Sequence, residues 1–192
     1  VFLRGSGGTG KTFTVGKFIE SKNISHNNYV FLGPTGKAVA VAEDKGLRGV
    51  IIHRFFGIQT NDNLQDINEY LEQKHGSIKK YRNKIRKQLI DIKYIFIDEI
   101  SMVNSELLEH ALITLQVCAM ENATVVISGD YHQLPPIIDK TLPEYENVGS
   151  SIDVIRDLIM ADAMGVVDFI TRYRSADENY NEFLHDTRLG II

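Results

Sequence analysis

The sequence predicts an α/β fold, a doubly wound and mainly parallel sheet that carries a small insertion. Three observations predict it. Short unalternating apolar runs (Tyr29-Val30-Phe31-Leu32, Tyr94-Ile95-Phe96-Ile97, Val125-Val126-Ile127) recur between segments with helical spacing of apolar residues. That is the pattern of strands covered on both faces by helices. The first apolar run, Val1-Phe2-Leu3, feeds Gly5-Ser6-Gly7-Gly8-Thr9-Gly10-Lys11-Thr12 and then an amphipathic segment, a strand, glycine loop and helix in the order that cradles phosphates. Finally, each polar cluster follows an apolar run, at the carboxyl end where ligands bind in such sheets.

Taken in order, Phe13 to Ile19 is the first helix and Tyr29 to Gly33 a buried strand. Pro34-Thr35-Gly36 turns into a helix over Lys37 to Glu43, and the apolar run Val50-Ile51-Ile52 leads into His53-Arg54-Phe55-Phe56-Gly57. From Gln59 to Lys93 the character changes. Leu64, Ile67, Tyr70 and Leu71 fall at helical spacing, and a basic run follows with Lys74, Lys79, Lys80, Arg82, Lys84, Arg86 and Lys87. Residues 59–93 therefore read as the insertion, and residues 1–58 and 94–192 as the main domain. Tyr94 to Ile97 returns as a strand closed by Asp98-Glu99, and Leu107, Leu108, Ala111, Leu112, Leu115 and Cys118 form one stripe of a long helix. Val125 to Ile127 is a strand, Asp139 to Ser151 a polar loop, and Ile152 to Ile159 a short helix. Val166 to Ile170 is the last strand, and a helix around Tyr180 to Arg188 closes the chain.

Composition narrows the function. The chain has 192 residues, 43% hydrophobic and 24% charged, enough for a real core. A net charge of −4 argues against coating nucleic acid by bulk electrostatics, so a polyanion site has to be a local patch. The single cysteine, Cys118, rules out a disulfide framework and reads as a buried inert thiol, and the six histidines show no metal-ligand spacing. No apolar run approaches the ~18 residues of a membrane span, and no signal-type N-terminus is seen. The expectation is an intracellular protein without membrane attachment: cytoplasmic in a bacterium or phage-infected cell, or nuclear, mitochondrial or viral in a eukaryotic setting. The chain begins without methionine, directly in the strand that feeds the loop, and it is expected to be a piece of a longer protein.

In the glycine loop, four glycines let the backbone curl so that successive N–H groups point into one concavity. Gly7, Gly8, Thr9 and Gly10 line that cradle. Lys11 adds a positive charge at the start of the following helix, and the Thr12 hydroxyl is a magnesium ligand. Asp98 ends an apolar strand, where it is placed to hold Mg²⁺ with Thr12, and Glu99 beside it is placed to polarise an attacking water. The alternative is a pair of acids on a solvated rim. The adjacent Glu favours water as acceptor, so the reaction inferred is triphosphate hydrolysis by positioning and electrostatic stabilisation. Gln133, after Gly129-Asp130, is one candidate sensor of the γ-phosphate, and Arg172 and Arg174 are either solvated arginines or a cis arginine for transition-state charge.

The ordered set G-S-G-G-T-G-K-T, P-T-G-K-A-V-A, I-I-H-R-F-F-G-I, I-F-I-D-E-I-S-M-V, S-G-D-Y-H-Q-L-P-P-I and T-R-Y-R-S resembles the motif series of superfamily-one DNA helicases, in the 5′-to-3′ branch of RecD and the PIF-type enzymes. The resemblance implies a RecA-like P-loop ATPase domain using ATP and Mg²⁺. It implies phosphate and metal roles for Lys11, Thr12 and Asp98, water activation by Glu99, γ-phosphate sensing by Gln133, and a γ-phosphate contact from Arg174, with Arg172 as fallback. Thr35, Gly36 and Lys37 match the segment that touches single-stranded DNA, and His53 and Phe55 the block lining the same path. Phe55 and Phe56 read equally as core. Arg54 departs from the small residue usual after that histidine. Residues 59–93 fall where this branch inserts its strand-separating wedge, and their charge suits either a DNA backbone or a solvated face. The resemblance also implies a second RecA-like domain that this chain lacks.

The main expectation is thus the first motor domain of an ATP-dependent 5′-to-3′ DNA helicase, serving repair or recombination. An alternative is a P-loop module that binds nucleotide and DNA without unwinding, as an accessory subunit of a recombination or relaxase complex. A small-molecule kinase or a GTPase is a third reading, but no lid-like arginine cluster and no N-K-x-D base-reading motif accompany the loop.

Overall fold

The computed structural model describes residues 1–58, 67–118, 123–130, 150–173, 175 and 177–189. Its strands are β1 (Phe2–Gly5), β2 (Tyr29–Gly33), β3 (Gly49–Ile51), β4 (Tyr94–Ile97), β5 (Thr124–Gly129) and β6 (Val166–Phe169). They form one six-stranded sheet in the order β3-β2-β4-β5-β1-β6, and every pairing is parallel. Because all strands point one way, their carboxyl ends share one edge of the sheet. The register aligns those ends: Leu32 lies opposite Ile97, Ile97 opposite Ile127, Arg4 opposite Gly129 and Gly5 opposite Phe169.

The unalternating runs are explained by their two faces. Successive side chains of a strand point to opposite sides. In β2, Val30 and Leu32 join one hydrophobic core while Tyr29 and Phe31 join the other. Likewise Ile95 and Ile97 of β4 enter the first core and Phe96 the second. Helices α1 (Lys11–Ser21) and α2 (Gly36–Glu43) cover the second face through Val15, Ile19 and Ala42. The larger core on the first face takes up α3 (Ile52–Phe56), α4 (Ile67–His75), α5 (Ile78–Leu89), α6 (Ser105–Cys118) and α7 (Ser151–Met160). Helix α8 (Glu178–Leu189) closes the chain. Among the described residues no helix is long and apolar enough to cross a membrane.

Within the segment read from the sequence as an insertion, the described residues 67–93 do not stand apart from this core. Leu71 of α4 and Tyr81, Ile85 and Leu89 of α5 are buried in the same cluster as Ile95, Leu107 and Leu115. Each such fully buried side chain stabilises the fold by roughly 1.5–3 kcal/mol relative to exposure. Tyr81 also reaches His110 of α6, its hydroxyl 2.9 Å from Nε2, and Thr114 lies 3.4 Å from the same nitrogen. Burial pushes the His110 imidazole down to about 4 and raises the Tyr81 phenol above its ordinary value.

Some local expectations are adjusted. The polar loop proposed over Asp139 to Ser151 ends sooner, since Ser150 caps α7 by accepting from Ile152 N–H and Ser151 is the buried first residue of that helix. The last strand stops at Phe169, leaving Ile170 exposed. Cys118 is half-buried rather than sealed; its thiol points at the Arg82 carbonyl, 3.6 Å away, and burial raises its pKa.

Candidate functional site

The loop between β1 and α1 folds back on itself. Gly7 and Gly8 make the turn, and Gly10 starts α1 with φ of 89°, a left-handed value costly for any side chain. Thr9 is buried and donates its hydroxyl to the Ser6 carbonyl at 2.8 Å. A Cβ on Gly5 would lie 2.7 Å from the Phe169 carbonyl oxygen and from Thr9 Oγ1, so only glycine lets β6 and the loop close together. The Lys11 ammonium is drawn into this ring, donating to the carbonyls of Gly5 at 2.8 Å and Ser6 at 3.1 Å. A buried positive charge beside curled backbone at a helix N-terminus favours a phosphate group.

The acid site is built by strand register. Asp98, 5% exposed, follows β4, and its backbone N–H donates to the Leu32 carbonyl at 2.9 Å. Its carboxylate receives three donors: the Thr12 hydroxyl on Oδ2 at 2.8 Å, the Ser128 hydroxyl on Oδ1 at 2.5 Å, and the Glu99 N–H on Oδ1 at 3.0 Å. Thr12 and Asp98 are distant in sequence yet in contact, and both offer oxygen, the donor type that magnesium selects. Among the described residues no group of three or more His, Cys, Asp or Glu is gathered to hold an ion. That donor set fits a cation that shares its coordination with phosphate oxygens.

Glu99 sits half-buried next to this pair in a left-handed conformation, φ 53° and ψ 46°, opening the 3-10 turn Ile100–Met102. Such a conformation costs a non-glycine residue energy and persists only where neighbours impose it. Two neighbours do. Gly129 is pressed so close that an added Cβ would meet Ile100 Cγ2 at 2.6 Å, and Ser151 donates its hydroxyl to the Ile100 carbonyl at 2.6 Å. Asn104 bridges to Ser150 just beyond. The start of α7 is thereby fastened to the turn that carries Glu99.

Behind the loop, Arg172 Nε donates to Ser6 Oγ at 3.1 Å and its Nη1 to the Asn181 carbonyl of α8 at 2.9 Å. The Tyr173 N–H donates to the Gly8 carbonyl at 2.9 Å. Arg172 is therefore a tie between the phosphate loop and α8. Gln133 and Arg174, the two expected γ-phosphate contacts, lie outside the described residues.

The expected DNA strip begins at the end of β2. Thr35 caps α2, its hydroxyl accepting from Ala38 N–H at 3.2 Å, and Gly36 and Lys37 are exposed on the first turn. His53 is half-buried on α3. Phe55 is different: it is 8% exposed, packs edge-on against Phe56 at 5.1 Å, and belongs to the main core. Its ring is packed into that core, one of the two readings the sequence leaves open for Phe55.

Sequence reasoning missed Ser128, Ser151 and the Arg172–Ser6 bond. For Ser128 the signal was a lone hydroxyl at the end of an apolar strand. Its meaning depends on β5 lying beside β4.

The sequence and the overall fold match known proteins. The AAA domain model matches residues 1–139. The chain belongs to the AAA-domain family. Within it the chain falls in the superfamily-one Pif1/RecD-like branch. It is 29% identical to the ATP-dependent DNA helicase Pif1 of Campylobacter jejuni over 138 residues, 72% of this chain and 29% of that protein. It is 30% identical to the RecBCD enzyme subunit RecD of Buchnera aphidicola over 143 residues, 71% of this chain and 23% of that protein. The structure of Bacteroides Pif1 bound to single-stranded DNA superimposes with a TM-score of 0.62 at 25% identity, covering 98% of this chain and 42% of that one. The chain thus spans less than a third of these curated relatives' length, and its six-stranded parallel sheet matches the RecA-like domain of the Pif1 helicases.

Proposed function

We propose that this chain is a motor domain of an ATP-dependent 5′-to-3′ DNA helicase, binding and hydrolysing ATP at the β1–α1 loop and contacting single-stranded DNA at the end of β2. The observation that carries the reading is the Thr12–Asp98–Ser128 contact beside the buried Lys11 ammonium. A triphosphate's charge is matched there by Lys11, the loop N–H groups and the α1 N-terminus. Thr12 and Asp98 would hold a magnesium ion, which supplies charge neutralisation on the terminal phosphates. Glu99 orients the attacking water and takes its proton. Gln133 and Arg174 are assigned to the γ-phosphate by resemblance alone, with Arg172 as the fallback. The remaining wall of the ATP cleft is assigned to a second RecA-like domain.

For DNA, Thr35, Gly36 and Lys37 present a capped helix N-terminus and an ammonium, suited to a backbone phosphate, and His53 extends that strip. ATP binding closes the two domains and hydrolysis reopens them, advancing the protein along the strand. The test is ATP hydrolysis by the full-length protein with and without single-stranded DNA. Stimulation by the strand, lost in Lys11→Ala together with unwinding, is expected. Unwinding that survives Lys11→Ala would sink the proposal.

A further inference from the structure

Helix α5 carries six Lys or Arg and no acid in twelve residues, in a chain whose net charge is −4. Its two sides are chemically distinct. Tyr81, Ile85 and Leu89 point into the core, while Lys80, Asn83, Lys84, Lys87 and Gln88 line one shared exposed surface. Positions 80, 84 and 87 recur at one face of a helix, so their ammonium groups stand in a row. Lys79 and Arg86 flank them, both exposed. None of these lysines forms an ion pair with a described acidic residue. Ser77 caps the helix, accepting from Lys80 N–H at 3.2 Å, and the buried row locks it onto the sheet, so the charges are displayed on a rigid element.

We propose that this face grips the phosphate backbone of double-stranded nucleic acid, as a second contact separate from the single-strand strip. The inference rests on the motor-domain reading above. Three features favour a duplex over a single strand. The face is purely cationic and amide-bearing: Tyr81 is the only aromatic of α5 and it is buried. Sites for single strands combine charge with exposed aromatic platforms for unstacked bases, which this face lacks. A duplex presents dense phosphate with its bases stacked inward, so lysines alone suffice and read no sequence. Its position also suits a second contact. Lys84 Nζ lies 3.6 Å from where a Cβ on Gly57 would stand, at the end of α3, so the middle of the basic row lies next to the helix that carries His53. A duplex held there adjoins the strand leading to Thr35 and Lys37.

The experiment measures binding of the full-length protein to a blunt duplex and to a single-stranded oligonucleotide across a salt series. The wild type is compared with the triple variant Lys80→Gln, Lys84→Gln, Lys87→Gln and with the same positions changed to Arg. The expected result is a duplex salt slope shallower by about 0.9 for each lysine that meets a phosphate, with the single-strand slope unchanged and the Arg variant restored. An unchanged duplex slope, with ATP hydrolysis still stimulated by single strands, overturns this assignment and leaves the motor reading standing. An equal loss on single strands gives the face to the tracked strand and also overturns it. Wild-type protein whose hydrolysis ignores DNA overturns both.

Discussion

Replacing Ser128 by Ala tests the acid site most directly. The serine is 4% exposed, and its hydroxyl donates to Asp98 Oδ1 at 2.5 Å. A hydrogen bond to a charged group contributes about 1.5–3 kcal/mol. Removing it leaves Oδ1 with the Glu99 N–H on a carboxylate that is 5% exposed. We expect a stability loss of about 2 kcal/mol, or a Tm lower by about 4–8 °C for a chain of this size. A second effect separates positioning from simple packing. With one oxygen released, the carboxylate rotates more freely against Thr12, and partners of this kind typically alter metal affinity about 10–100-fold. A magnesium titration of fluorescent-nucleotide binding reads that change, while Ser128→Thr, which keeps the hydroxyl, stays near wild type. Ser128→Ala with the wild-type Tm and the wild-type magnesium dependence would refute the argument.

Two further outcomes follow from buried groups. His110 is held neutral, with its pKa lowered to about 4 from 6.5, so the unfolded chain takes up a proton that the folded one refuses. Stability is full above about pH 6.5, declines as pH falls, and levels off near pH 4, a total of about 3 kcal/mol. Urea unfolding at a series of pH values should show this slope in wild type and a flatter one in His110→Gln; identical slopes would remove His110 as its source. At Gly5, an added methyl would collide with the Phe169 backbone at 2.7 Å. Gly5→Ala should therefore cost about 1–3 kcal/mol and weaken nucleotide binding, both read by thermal unfolding with and without nucleotide. A variant as stable as wild type and binding nucleotide equally well contradicts the close approach of β6 to the loop.

Residues near one another in the chain were legible from the sequence alone. The loop from Gly5 to Thr12 needs only its own glycines and its flanking strand and helix. The runs at Tyr29 and Tyr94 declare strands covered on both faces, and the structure returns them as β2 and β4. The motif series carried the family. What the tertiary structure alone decided depends on which strands lie side by side. An apolar run looks the same in any order, so nothing local says that β5 neighbours β4 and brings Ser128 onto Asp98. Nor does it say that Arg172 returns to Ser6, or that α7 is fastened to the turn carrying Glu99. From the sequence, Phe55 reads equally as part of the DNA-lining block and as core for the same reason. An aromatic side chain serves either purpose, and only the packing of α3 in the main core spends its faces inward. Helix α5 follows the same rule: its charge is plain from residues 79–87, but its buried row, and hence the rigid display of that charge, came from packing into the main core.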